Sequence, residues 1–254
     1  STGTQTAAFI CGGSTPSATN ITEEYNGSGY SSSGNYIASR DNFAGCGTQT
    51  AGLAFAGNPG YTDTNAEYDG STWTSANSLP AGMFQQGASG TQTAGLGYGG
   101  YRGGANVLNN TYEYDGTNWT AGGNLGTARY GCHSMQGTQS ASFLAGGIVP
   151  PSTLQSVVEE YDGSSWSEVN NLPAGKYHHA GAGTLTSGLV FGGSGNHPPS
   201  TMLSASLAYD GTNWTATPSL ALARRQPGGA GSSSASAVAL AGSTGPSGSQ
   251  VGTT

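Results

Sequence analysis

Gly47-Thr48-Gln49-Thr50-Ala51-Gly52-Leu53, followed by Glu67-Tyr68-Asp69-Gly70-Ser71-Thr72-Trp73, is the stretch that decides the fold, because both halves recur along the chain. The first half returns at Gly3–Thr6, Gly90–Thr93, Gly137–Ser140 and Gly183–Thr186, and in decayed form at Gly231–Ser234. Unit starts at 3, 47, 90, 137, 183 and 231 give spacings of 44, 43, 47, 46 and 48 residues. The second half returns as Tyr114-Asp115-Gly116…Trp119, Tyr161-Asp162-Gly163…Trp166 and Tyr209-Asp210-Gly211…Trp214, with Tyr25-Asn26-Gly27…Tyr30 as a variant first copy. Self-similarity at a period of about 40–50 residues marks a repeat architecture.

Each unit reads as four short strands. After the Gly-Thr-Gln-Thr turn, larger apolar residues sit two apart, as in Phe9/Cys11, Leu53/Phe55, Leu96/Tyr98, Phe143/Ala145, Leu189/Phe191 and Val238/Leu240. A period of two is a strand signature, and the small residues between allow sheets to approach closely. The Asn-Gly or Asp-Gly between the Tyr and the following aromatic predicts a hairpin with a type I′ turn. The stretches before the first motif, such as 130–136 and 177–182, supply a further strand. No segment has helical periodicity. Four-stranded units of this length predict an all-β fold, a β-propeller filling residues 1–254 as one domain.

Composition narrows the function. Gly and Pro account for 45 and 11 residues, without a Gly at every third position, so collagen is excluded. Only 6 Lys/Arg and 13 Asp/Glu are present, which does not fit a highly charged disordered chain. A net charge of −7 offers no basic field for phosphate backbones, so no nucleic-acid partner is expected. No apolar run is long enough to span a membrane, so no membrane insertion is expected either. The chain begins at Ser1 without Met, as a processed or trimmed protein would. Cys11, Cys46 and Cys132 occupy unmatched places in the repeat and read as small apolar fillers.

The order of features, a strand ending in Gly-Gly, a variable loop, a strand ending in Tyr-Asp and a Trp-bearing strand, resembles the kelch repeat over the whole chain. In detail the GTQTAGL…EYDGS-x-W version is most similar to kelch-like proteins of environmental, particularly marine, bacteriophages. The resemblance implies a kelch-like propeller of four-stranded antiparallel blades. It also implies a virion or extracellular protein. With strands lettered a to d as in kelch, the chain opens at strand b, and two closures are open. Six blades form if the incomplete first and last units meet, which six copies of strand b favour. Five blades form if the strand near 226–232 completes the first.

Residues that recur in every unit, Trp73, Trp119, Trp166 and Trp214 among them, are expected to pack sheet on sheet. Function is expected where the copies differ. The a–b and c–d turns share one face and are short. The d–a connections and the long b–c loops share the other. That face presents the candidate ligand-binding residues Tyr61, Tyr101, Arg102, Tyr177, His178 and His197. The basic residues heading strand a, Arg129, Lys176 and Arg224, are read first as ties between blades.

Enzyme readings find little footing. His178 and His179 are neighbours on a predicted strand and point to opposite faces, while His133 and His179 hold matching places without an identifiable third ligand. No cofactor or metal site is expected. The leading expectation is a non-enzymatic binding module that recognises a glycan or a cell-surface receptor. The alternatives are an assembly protein docking other virion proteins and, less favoured, a glycan-active enzyme.

Overall fold

The computed structural model describes residues 1–14, 16–104, 106–132, 137–197 and 201–245, and every regular element among them is a β-strand. Blade one pairs β1 (Thr2–Thr4), β2 (Ala7–Cys11), β3 (Thr22–Tyr25) and β4 (Tyr30–Ser33) in sequence order, all antiparallel. Blade two repeats this with β5 (Ala44–Thr48), β6 (Ala51–Phe55), β7 (Asn65–Tyr68) and β8 (Trp73–Ala76). Blade three uses β9 (Gly87–Thr91), β10 (Ala94–Tyr98), β11 (Thr111–Tyr114) and β12 (Trp119–Ala121). Blade four begins with β13 (Gly137–Thr138) and β14 (Ala141–Ala145), and its long loop folds into a ribbon of β15 (Ile148–Val149) and β16 (Thr153–Leu154). It ends with β17 (Val158–Tyr161) and β18 (Trp166–Glu168). Blade five comprises β19 (Ala180–Thr184), β20 (Ser187–Phe191), β21 (Ser206–Tyr209) and β22 (Trp214–Thr217). Last comes a two-stranded hairpin, β23 (Gly228–Ser233) and β24 (Ser236–Leu240).

The expectation of six blades is therefore corrected to five four-stranded blades. The first unit is complete, because Thr2–Thr4 pairs with Ala7–Cys11 and supplies its own strand a. Gly228–Ser233 pairs with Ser236–Leu240 and does not enter blade one. This hairpin stands between blades five and one, with β23 packed against both β19 and β1, and it closes the ring of innermost strands.

Strand a also lies further along than expected. It takes in the Gly-Thr of the repeated motif and leaves only the Gln-Thr pair as the turn. The recurrent Gly is required there: Gly47 and Gly90 both have φ of +98°, a conformation that L side chains rarely adopt. The Asp-Gly turn differs too. Tyr68 pairs with Trp73 across a four-residue turn, and only the Gly has positive φ, at +96° for Gly70. A type I′ turn needs two such residues. Here the Asp side chain organises the turn instead: Asp69 Oδ1 accepts the Ser71 and Thr72 N–H groups at 2.8 and 2.7 Å. Asp115, Asp162 and Asp210 make the same pair of bonds, and Asn26 makes them in blade one.

Blade-on-blade packing explains the alternation of large and small residues in strand b. A Cβ on Gly52 would come within 2.5 Å of Phe9, one on Gly97 within 2.7 Å of Phe55, and one on Gly188 within 2.7 Å of Phe143. Each small residue thus seats a ring from the preceding blade, which lets neighbouring blades pack closely. The recurrent Trp residues follow the same rule. Trp73 meets Phe9 at 5.8 Å between ring centres, Trp119 meets Phe55 at 4.8 Å, Trp166 meets Tyr98 at 4.9 Å and Trp214 meets Phe143 at 6.2 Å.

Hydrogen bonds repeat with the same phase. Tyr68, Tyr114, Tyr161 and Tyr209 donate to Glu24, Glu67, Glu113 and Glu160 of the preceding blade at 2.5, 2.7, 2.5 and 2.5 Å. Burial foremost, and these carboxylates next, push the Tyr68 and Tyr161 phenols up to about 12. The turn glutamines also tie blade to blade. Gln92 Nε2 donates to Gly52 O and Tyr68 O of blade two at 3.1 and 2.9 Å, and Gln49 and Gln139 make the corresponding two bonds one blade earlier and later.

Candidate functional site

The two faces of the propeller are separated as the sequence implied. The a–b and c–d turns lie together: a Cβ on Gly70 would sit 3.4 Å from Thr50 Cα, and one on Gly116 the same distance from Thr93 Cα. The b–c loops and the heads of strand a meet on the other face, through bridges such as Asp41 with Asn58, Phe84 with Tyr101 and Tyr177 with Ser194.

At the centre of this loop face one residue near the start of each of β5, β9, β13, β19 and β23 adopts a left-handed conformation: Asn42, Gln85, Gly131, His178 and Gln226 have φ between 50° and 72°. Their backbones join hand to hand. Gln85 N donates to Asn42 O at 2.9 Å, Gly131 N to Gln85 O at 3.0 Å, His178 N to Gly131 O at 2.7 Å and Gln226 N to His178 O at 2.7 Å. The Gln226 side chain then closes the circle by donating to Asn42 Oδ1 at 3.1 Å. Backbone strain repeated in this way is offset by the hydrogen bonds it aligns, and it fixes the heads from which the loop-face side chains project. His178 belongs to this ring and precedes β19, so the strand alternation expected of His178 and His179 does not apply. His133 lies outside the described residues.

Around the ring runs a band of aromatic side chains. Tyr61 meets Phe84 at 5.2 Å and Tyr101 at 6.3 Å; Phe84 meets Tyr101 at 5.2 Å; Tyr101 meets Tyr130 at 5.1 Å. Further round, Tyr177 meets His178 at 4.4 Å and His197 at 5.4 Å. The two groups adjoin, since a Cβ on Gly131, the neighbour of Tyr130, would lie 3.4 Å from the Tyr177 ring and 3.3 Å from that of His178. Tyr61 is 38% exposed and His197 is exposed, whereas Tyr177 is buried and supports the band from below.

Local backbone pins the exposed members. Tyr61 is itself left-handed, with φ of 52°, unusual for a bulky residue. Its ring packs over Gly103, where a Cβ would lie 3.0 Å from the phenol oxygen. Tyr101 donates its hydroxyl to Gly104 O at 2.6 Å, and Arg102 Nε donates to Gly82 O at 2.8 Å. The band therefore offers flat apolar rings edged by phenol oxygens and one guanidinium, a chemistry suited to stacking and hydrogen bonding with a polar, ring-shaped ligand.

The structure places the six sequence candidates on this face in two groups, Tyr61 beside Tyr101 with Arg102 next in the chain, and Tyr177 beside His178 and His197. The sequence reading missed Phe84 and Tyr130, which join them. The available signal was positional, since Phe84, Tyr130 and Tyr177 occupy the same place in three units, at the end of the d–a connection.

The buried arginines behave as ties. Arg129 is fully buried, with its backbone bonded to blade three and its guanidinium paired with Glu159 of blade four at 2.6 Å. Arg224 donates to Ala241 O at 2.9 Å, and Arg40 donates to Thr62. Lys176 is 3% exposed and its ammonium is lowered by burial. Among the described residues no three His, Cys, Asp or Glu side chains cluster as metal ligands, and no helix is long and apolar enough to cross a membrane. No family model and no curated protein matches this chain.

Proposed function

We propose that this chain is a non-enzymatic binding module that recognises a glycan on a cell surface through its loop face, with no nucleic-acid or membrane-inserting role. One observation carries this reading: the aromatic band from Tyr61 through Phe84 and Tyr101 to Tyr130 crosses blade boundaries on the one face where the repeat units differ. Tyr68, Tyr114, Tyr161 and Tyr209 and the Trp beside each recur in phase and serve packing, whereas Tyr61 and Tyr101 fall in loops that differ from unit to unit. Functional residues concentrate on loops held by a rigid scaffold. The order of repeat features, similar to kelch repeats and most of all to those of environmental bacteriophages, supports placing the module on a virion or outside the cell. Shallow contacts of this kind gain strength from display in several copies.

A glycan-array screen of the intact chain, run beside a variant with Tyr61, Tyr101 and His197 replaced by Ala, tests this reading. Selective binding that disappears in the variant supports it. A silent array from a folded protein turns the reading towards the alternative, a propeller that docks other virion proteins.

A further inference from the structure

Charge is unevenly placed in this chain. Although the net charge is −7, every Glu lies on strand c or strand d, and Asp69, Asp115, Asp162 and Asp210 lie on the c–d turns. Only Asp41 and Asp63 are left to the loop face. All six basic residues lie there, Arg102 in a b–c loop and Arg40, Arg129, Lys176, Arg224 and Arg225 in the d–a connections. Glu159 reaches Arg129 from blade four, and theirs is the one ion pair among the described residues. The acidic balance therefore belongs to the strands and the turn face. The loop face presents positive potential to an approaching ligand, and its buried cations reinforce that potential because water screens them little.

Arg102 brings that charge to the aromatic band. Gly82 packs so closely on the Tyr61 carbonyl that a Cβ would not fit, and Gly82 O in turn accepts the Arg102 Nε–H at 2.8 Å. The next residue, Gly103, lies under the Tyr61 ring. This frame holds a half-buried guanidinium beside an exposed ring. Among the described residues the Arg102 Nη groups make no hydrogen bond or ion pair, and the Tyr61 hydroxyl makes no hydrogen bond. Because Nε is taken by Gly82 O, the two Nη groups are the fork that remains. Two parallel N–H donors match the two oxygens of a carboxylate, which a lysine ammonium at this place could not do.

We propose that the loop face selects a carboxyl-bearing glycan, with one sugar ring stacked on the band beside Tyr61 and its carboxylate held by the Nη groups of Arg102. This rests on the glycan reading above and adds the charge of the ligand. The exposed Tyr61 hydroxyl is placed to share a hydrogen bond with the same sugar, and the field of the face steers the acid towards it. A single nucleic-acid strand combines negative charge with stacking too, but its phosphates call for a cation at step after step. The band from Tyr61 to Tyr130 has Arg102 alone at its edge, which suits one carboxylate on one sugar.

The test probes the full chain against an array of carboxyl-bearing oligosaccharides, each printed beside its neutral, carboxyl-reduced counterpart. Sulfated oligosaccharides and a short oligothymidylate form two further arms. In a bound pair the carboxyl-bearing member is expected to bind at least about tenfold tighter, through two charge-assisted hydrogen bonds. Arg102→Lys, which keeps the charge and loses the fork, should remove most of that preference, and Arg102→Gln all of it, with melting curves showing that both variants fold. In the unsubstituted chain the preference should shrink as ionic strength rises from about 0.05 to about 0.5 M, a readout that needs no variant. Equal binding of the two members overturns the proposal and leaves the glycan reading standing. So does a preference indifferent to salt, one that survives Arg102→Gln in a folded chain, or one for the sulfated or oligothymidylate arm. An array silent in every arm from a folded chain removes the glycan reading as well.

Discussion

The turn face and the loop face of this propeller are built from the same units but use their side chains in opposite ways. On the turn face the polar side chains do the same work in blade after blade. Gln49, Gln92 and Gln139 each clamp two carbonyls of the preceding blade, and Asp69, Asp115, Asp162 and Asp210 each hold a turn. On the loop face the buried Arg129 and Arg224 tie neighbouring elements together, while Tyr61, Tyr101 and His197 sit in loops that differ between units. Repetition therefore separates residues that keep the ring closed from residues left over for a ligand. Phase in the repeat is more informative than residue type: a tyrosine at position 68, 114, 161 or 209 is structure, and one at 61 or 101 is a candidate contact.

Substitutions can break this division at graded cost. The largest loss is expected from Arg129→Met, which leaves Glu159 buried without its cation; breaking such a pair costs about 3–5 kcal/mol. Urea denaturation should show that loss in the midpoint, with the slope unchanged. A cost below about 1 kcal/mol would mean that Arg129 does not tie blade three to blade four.

Smaller is Gln92→Ala on the turn face. It removes two bonds to blade-two carbonyls and should cost about 1–3 kcal/mol by the same measurement, without touching ligand binding.

Alkaline pH probes the tyrosine–glutamate relay between blades. Tyr161, raised to about 12, has a folded pKa above the ordinary phenol value, so its contribution is fully present below about pH 10 and is lost as pH rises towards 12. Tyr68 behaves alike, and Tyr114 and Tyr209 are raised in the same direction. Phenolate absorbance should appear together with loss of β-structure in that window, and Glu113→Gln should shift the Tyr161 titration downward. A titration complete near pH 10 in the folded protein would contradict the relay.

The smallest expected effect lies at acid pH. Asp162 is held down to about 2 first by the Ser165 N–H and then by the Ser164 hydroxyl and N–H. A depressed carboxylate stabilises the fold above its unfolded pKa near 4 and loses that contribution as pH falls towards 2. Asp162→Asn should flatten the acid limb of the melting temperature between pH 4 and 2, because Asn26 shows that an amide accepts the same bonds without titrating.

Much of this division was legible before any coordinates. Period-two strands, the repeat phase and the separation of faces follow from where Leu53, Phe55, Tyr68 and Trp73 fall. The role of Gln49 was not legible, because its acceptors lie at Ala8 and Tyr25, distant in sequence, and a turn glutamine reads as merely polar. The turn type was misread because Asp-Gly signals a two-residue hairpin unless the Asp side chain captures the next two amides, as it does here. The blade count was misread because Thr2–Thr4 is a three-residue strand hidden inside the motif that marks the turn. The aromatic band is only partly legible, because Phe84 and Tyr130 sit at strand heads whose neighbours in other units, Asp41 and Arg225, are not aromatic.

The most direct measurement pairs binding with stability in two double variants, Tyr61→Ala/Tyr101→Ala on the loop face and Gln49→Ala/Gln92→Ala on the turn face. Each is melted and each is titrated with a glycan selected by the intact chain. The account predicts that the first loses binding and keeps most of its stability, while the second loses stability and keeps its affinity at temperatures where it is folded. Retained glycan affinity in a folded Tyr61→Ala/Tyr101→Ala chain would contradict it.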